Sequence, residues 1–136
     1  MSEINWLEKL NWGEDHIDDL ALAGYAYIRQ GKYDIAIRFY KALVVLDPSD
    51  AYYAQTLAGL YMQLGKPEKA LPYFDIALKL EGDHAPTMIN LCKTLFMLGR
   101  TEEGLRLAEL LKSEPIPSIS NQAKALILAY SRGPKS

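Results

Sequence analysis

Three glycines recur at one fixed interval along this chain of 136 residues. Gly31, Gly65 and Gly99 lie 34 residues apart, and each is followed by a lysine or an arginine. A repeat of this length indicates supersecondary units that bury their apolar faces only against their neighbours. Each glycine also stands where a helix-like segment stops, and glycine readily takes the left-handed conformation that ends a helix. The interval therefore predicts a stack of helix-turn-helix units.

Small and large residues keep the same interval on both sides of these glycines. Stacked helices need small residues where their backbones approach, and large ones where a neighbouring helix leaves a hole. The small positions are Gly24, Ala58 and Cys92, then Ala36, Ala70 and Gly104; the large ones are Tyr27, Tyr61 and Leu95, then Tyr40 and Phe74. This order of small residue, large residue, turn, alanine and aromatic residue is typical of the tetratricopeptide repeat. We expect the four aromatic residues of this set in the core.

The predicted fold class is all-α, with one tetratricopeptide solenoid domain over residues 1–136. It comprises a short N-terminal helical segment (1–16), three helix-turn-helix repeats (17–50, 51–84 and 85–118) and a C-terminal capping helix (119–131). The repeats predict helices over 17–30, 33–46, 51–64, 67–80, 85–98 and 101–112, with the last helix ending near 130. Asp50 is placed to cap the third helix, and Ser118 or Ser120 to cap the last.

The segment before the repeats is strongly apolar. It contains Ile4, Trp6, Leu7, Leu10 and Trp12. An isolated helix of this length is marginal in water, so the segment must dock on something. Docking on the first repeat as an N-terminal cap is one interpretation. The other interpretations are a homodimer contact through Trp6, Leu7, Leu10 and Trp12, or a contact with a partner.

Charge and cysteine content narrow the class of protein. The net charge is −2 and the pI is near 5.7, which argues against nucleic acid as a partner, because phosphate binding needs a basic face. The chain has one cysteine, so it is not a disulfide-stapled module. We see no signal peptide, and the apolar runs are too short to span or insert into a membrane. We therefore expect a cytoplasmic protein.

The first helix of each repeat is expected to line a concave face. The predicted peptide-binding groove consists of Tyr25, Ile28, Arg29, Tyr52, Gln55, Met62, Ile89, Lys93 and Phe96, with Thr56, Gln63, Asn90 and Met97 on the same face. Aromatic residues and methionine are enriched in protein interfaces, so we expect Tyr25→Ala or Phe96→Ala to weaken binding while the protein stays folded. The alternative is that Tyr25, Phe96 and their apolar neighbours pack between adjacent helices.

Other tetratricopeptide modules bind the acidic C-termini of heat-shock chaperones with a clamp of Lys, Asn and Arg. The matching positions here are Ala21, Tyr25, Thr56, Pro86 and Asn90. Only the asparagine is of a suitable type. We therefore expect an extended apolar peptide, rather than an acidic C-terminus, in the groove.

The residues that usually carry chemistry are few and scattered. His16 and His84 are expected to be exposed loop histidines, and Cys92 to be a buried, inert thiol. A zinc site needs about four suitably spaced ligands, which these residues do not supply. The acidic cluster at 14–19 is typical of a charged helix start. We predict no catalytic residue, no cofactor and no metal, so the chain is not expected to be an enzyme.

A closer resemblance covers residues 23–111. It depends on four phrases: QGKYDIA at 30–36, FYKALVVLD at 39–47, YMQLGK at 61–66 and LCKTLFMLG at 91–99. With these phrases the chain resembles the class II chaperones of bacterial type III secretion systems, which bind hydrophobic translocator proteins before export. The resemblance implies a groove for an extended partner segment with spaced hydrophobic and proline side chains. It also implies homodimerisation through the N-terminus.

Two functional hypotheses follow. The first is a cytoplasmic chaperone that holds a hydrophobic segment of a secreted partner in its concave groove before export. The second is a scaffold or adaptor in which the same solenoid joins folded proteins in a complex. Binding to a short linear peptide favours the first, and a requirement for a folded domain favours the second.

Overall fold

The computed structural model describes residues 14–131, and within that range every regular element is an α-helix. Its seven helices are α1 (Glu14–Arg29), α2 (Tyr33–Leu46), α3 (Ala51–Gln63), α4 (Pro67–Leu80), α5 (Ala85–Met97), α6 (Thr101–Leu111) and α7 (Pro117–Tyr130). The predicted all-α class is confirmed. The apolar segment with Trp6, Leu7, Leu10 and Trp12 lies outside the described residues.

The helices stack as a solenoid. Each helix packs on its neighbours in the chain, and α3 and α7 also touch α5. Alternate helices therefore form one layer of A helices (α1, α3, α5 and α7) and one layer of B helices (α2, α4 and α6). In a solenoid of this kind, the small rotation between successive units creates an extended concave surface.

The turns within the three helix pairs share one geometry. Gly31, Gly65 and Gly99 have φ angles of 74°, 71° and 76°, in the left-handed region that side chains disfavour. The residue after each glycine donates its backbone N–H to a carbonyl five residues earlier, as from Lys32 to Tyr27 at 2.9 Å. This is the Schellman arrangement that satisfies the last carbonyls of a helix. The predicted role of the glycines is confirmed.

Helices α2 to α6 start at the predicted residues, whereas α1 and α7 start earlier than expected. The Asp50 carboxylate accepts the Tyr52 backbone N–H at 2.9 Å, so the predicted cap is present. The start of α1 at Glu14 is three residues earlier than expected, so the acidic cluster lies inside its first turns. The capping role of Ser118 or Ser120 is wrong. Pro117 occupies the first turn of α7, where a missing N–H does no harm, and both serines follow it inside the helix.

The core consists of two apolar clusters. The first joins the helices of the first two pairs around Tyr40 and Phe74, which are each 1% exposed. Tyr61 is also buried in it, which confirms three of the four expected core aromatics; Tyr27 is half-buried and packs against the cluster. The second cluster joins α5, α6 and α7 around Cys92 and Phe96, and its other buried members are alanines, leucine and isoleucines. The last helix therefore closes the apolar end of the stack, as a capping helix should.

Candidate peptide-binding groove

The two inner A helices are almost free of charge. Helix α3 has no charged residue among its 13, and α5 has only Lys93. Each B helix, by contrast, carries three or four charged side chains. Charged groups resist burial in an interface, so an uncharged helix face is the part of the surface best suited to be covered by a partner.

On the first three A helices, α1, α3 and α5, two tyrosines expose large aromatic surface. Tyr25 of α1 is 45% exposed and Tyr52 of α3 is 52% exposed. The Arg29 guanidinium lies 6.0 Å from the centre of the Tyr25 ring, at the outer limit of a cation–π contact. Tyr52 meets Tyr53 edge to face at 6.1 Å, and Tyr53 is itself buried. Both exposed rings are thus positioned by neighbouring side chains.

Four further predicted groove residues are half-buried: Ile28, Gln55, Met62 and Lys93. The Gln55 side-chain amide donates to the Glu81 carboxylate at 2.9 Å, which links α3 to the end of α4. The Thr94 hydroxyl lies 2.8 Å from the Met62 sulfur and 2.8 Å from the Asn90 carbonyl. The methionine is therefore held between α3 and α5, and only part of it faces solvent.

Ile89 and Phe96 are not placed with the exposed residues. Their exposed fractions are 3% and 6%, and both belong to the second core cluster. The Phe96 ring stacks on Tyr130 of α7, with centroids 4.1 Å apart and planes 12° apart. A Cβ at Gly104 would lie 2.9 Å from the same ring, so the ring occupies space that this glycine leaves. For these two residues the structure shows the alternative of packing between helices, and their groove role stays a prediction.

Sequence reasoning missed one residue of the same face. The solvent-facing side of α3 carries Tyr52, Gln55, Thr56, Gly59, Met62 and Gln63. Gly59 stands at the middle of this side and was not among the predicted groove residues. The signal that would have found it is a glycine inside an otherwise regular helical pattern, where it weakens the helix.

Comparisons with known proteins agree with this architecture. Residues 21–86 match the tetratricopeptide repeat family. The chain therefore contains tetratricopeptide repeats within these residues. A DnaJ protein from rice, the P58IPK homolog B, is 30% identical over 108 residues, which are 68% of this chain. The chain spans only 23% of the length of that relative.

Solved tetratricopeptide structures superpose on most of the chain. The Yersinia enterocolitica type III secretion chaperone SycD, in complex with a peptide of the translocator YopD, has a TM-score of 0.77 at 21% identity, covering 88% of this chain and 95% of that one. PcrH with the chaperone binding region of PopD has a TM-score of 0.76 at 23% identity, covering 88% and 93%. The first tetratricopeptide domain of RPAP3, bound to the HSP90 peptide SRMEEVD, has a TM-score of 0.76 at 25% identity, covering 88% and 96%. These likenesses establish the fold.

Cys92 and His84 occupy structural places in this stack. The Cys92 thiol is buried and donates to the Gly104 carbonyl at 3.2 Å, and burial raises its pKa to about 11. The thiol therefore stays protonated near neutral pH, which makes it a poor nucleophile. His84 is not the exposed loop histidine that we expected. It is half-buried at the start of α5, with Nδ1 2.6 Å from the Thr87 hydroxyl.

Residues 14–131 contain neither a metal-binding cluster nor a membrane-spanning helix. There, no three His, Cys, Asp or Glu side chains come together as a metal site. No helix in that range has the length and the hydropathy needed to cross a membrane.

Proposed function

We propose that this tetratricopeptide-repeat protein binds an extended, apolar segment of another protein on its concave face. In this proposal it is a cytoplasmic chaperone that shields a secretion substrate, of the type III translocator kind, before export. The observation that supports it most is the pair of exposed tyrosines, Tyr25 and Tyr52, on an A-helix layer whose central helix has no charge.

The chemistry of this layer favours an apolar ligand. Exposed aromatic rings bury large areas at little loss of conformational freedom, so they are common anchors of binding sites. A charged ligand would lose hydration on α3 without meeting an opposite charge there. Gln63 is exposed and can donate and accept hydrogen bonds, and the side-chain oxygens of Gln55 and Thr56 can accept them, so an extended backbone can pair its N–H and C=O groups here.

The structural neighbours support the same proposal. SycD holds a peptide of the translocator YopD, and PcrH holds the chaperone binding region of PopD. Both superpose on 88% of this chain. The role needs no catalytic group, cofactor or metal. A homodimer through Trp6, Leu7, Leu10 and Trp12 remains part of the proposal.

The alternative is a scaffold that joins folded proteins. The RPAP3 domain, which has the same fold, binds an acidic HSP90 peptide, and the rice relative is a much longer protein. The sequence does not carry the basic clamp for such a peptide, because Ala21, Tyr25, Thr56 and Pro86 stand at four of its five positions. An adaptor built on this chain would therefore have to use other residues.

Site-specific photo-crosslinking in the cells that produce the protein tests the proposal. A photoreactive phenylalanine analogue replaces Tyr52, and in a matched control it replaces Lys41, which is exposed on the B helix α2. We expect the Tyr52 position alone to capture an exported protein, through a long apolar segment that mass spectrometry identifies. Capture of folded subunits of a larger assembly, with equal yield at both positions, would support the adaptor instead.

A further inference from the structure

Helix α3 contains one glycine, Gly59, that neither the backbone conformation nor the packing of neighbouring side chains requires. Glycine is a poor helix former, and Gly59 stands well inside the helix. The turn glycines, such as Gly31, need their positive φ, whereas Gly59 is not among the positive-φ glycines. Gly24 and Gly104 leave room for aromatic rings, since a Cβ on either would meet a ring at 3.0 Å or less. A Cβ on Gly59 would meet no atom within 4 Å.

The empty space above Gly59 opens on the candidate groove. One turn before it, Gln55 and Thr56 are half-buried, and one turn after it Met62 is half-buried and Gln63 exposed. The missing side chain therefore leaves a notch in the middle of the α3 face. The repeat interval places Tyr25 of α1 and Lys93 of α5 at the equivalent positions of the flanking helices. By this interval, the flanking helices carry a tyrosine and a lysine at the register where α3 has a glycine.

We propose that Gly59 is a specificity-determining contact, at which a large apolar side chain of the bound segment rests directly on the α3 backbone. The inference rests on the proposed function and names the place in the groove that selects the ligand. Two features of the notch indicate that its occupant is apolar. The helix backbone beneath it has its N–H and C=O groups paired within the helix. The helix that carries it has no charge. An added side chain at this position would fill the notch.

Substitution of Gly59 separates binding from folding. Gly59→Ala has no neighbour to strain and improves helix propensity, so the melting temperature of the free protein should rise by about 2–4 °C. Gly59→Leu fills the notch. The matched control is Ala125→Leu, which adds the same side chain at an exposed position of α7. The probe is a set of peptides that the unmodified protein selects from a phage-displayed random library, with affinities measured by fluorescence anisotropy.

Each possible result of these measurements either supports or overturns the role proposed for Gly59. We expect the selected peptides to be rich in large apolar residues and to bind Gly59→Leu at least about tenfold more weakly, while Ala125→Leu binds normally. Unchanged affinity for Gly59→Leu, together with weakened binding to Tyr52→Ala, would overturn the inference and keep the groove. A lowered melting temperature for Gly59→Ala would also overturn it, because the glycine would then have a structural role. If no selected peptide is sensitive to Tyr52→Ala, the proposed groove fails and the inference with it.

Discussion

Phe96 provides a direct test of which predicted groove residues belong to the core. Its side chain is 6% exposed, stacked on Tyr130 and pressed into the space that Gly104 leaves. Burial of a phenylalanine contributes about 1.5–3 kcal/mol, the ring stack adds about 0.5–1.5 kcal/mol, and the cavity left by truncation adds more. We therefore expect Phe96→Ala to destabilise the protein by about 3–5 kcal/mol. This replaces the expectation from sequence that the variant would stay folded and lose only binding.

The assay is urea unfolding followed by circular dichroism, with Tyr25→Ala as the matched control. Tyr25 is an exposed aromatic on another A helix, so its truncation should cost less than about 1 kcal/mol. A loss of about 3–5 kcal/mol is a large fraction of a total stability that is about 5–15 kcal/mol for a typical domain. If Phe96→Ala unfolds within about 1 kcal/mol of the unmodified protein, Phe96 is not a core residue and the packing argument is refuted.

Three further predictions concern stability. Gly104→Ala should destabilise by about 1–2 kcal/mol in thermal melts, because overpacking against Phe96 outweighs the gain in helix propensity, and a neutral result would contradict it. Asp50→Ala should cost about 1 kcal/mol in urea unfolding, whereas Asp50→Asn should cost less. Burial raises the pKa of Cys92 from 9.0 to about 11 and that of Tyr40 from 10.0 to about 12. The free energy of unfolding should therefore be independent of these two groups below pH 9 and should fall as the pH rises toward 12. The fall should be less steep in Cys92→Ala, which lacks one of the two groups.

The repeat interval made most of the fold predictable. A helix pair at each glycine follows from one conformational requirement, and α2 and α4 begin and end at the predicted residues, 33–46 and 67–80. The core aromatics were predictable for the same reason, since the interval assigns each one a place against a small residue. The starts of α1 and α7 were not. The interval fixes the end of α1 near Gly31 but not its start, and α7 lies outside the regular repeat, so the interval carries no information about where either helix begins.

The groove was less predictable, because exposure depends on what each neighbouring helix supplies. Phe96 occupies the position that Ile28 and Met62 hold in the other repeats, and phase alone treats the three alike. The structure buries Phe96 because α7 contributes Tyr130 and α6 contributes a glycine where the other B helices have alanine. That exchange of sizes between Phe96 and Gly104 was visible in the sequence as two departures from the repeat. The sequence alone does not show that these two departures are linked, because the link depends on how α5, α6 and α7 pack together.

The central claim is that the A-helix face binds an extended apolar segment, and one affinity measurement tests it most directly. The segment captured by the crosslinker at Tyr52 is synthesised as a peptide and titrated calorimetrically into the unmodified protein, into the Tyr25→Ala, Tyr52→Ala double variant and into Lys41→Ala. We predict that the double variant, which stays folded at the assay temperature, loses at least about tenfold in affinity, or about 1.4 kcal/mol, while Lys41→Ala binds normally. Equal affinity of all three proteins for the peptide would contradict the account.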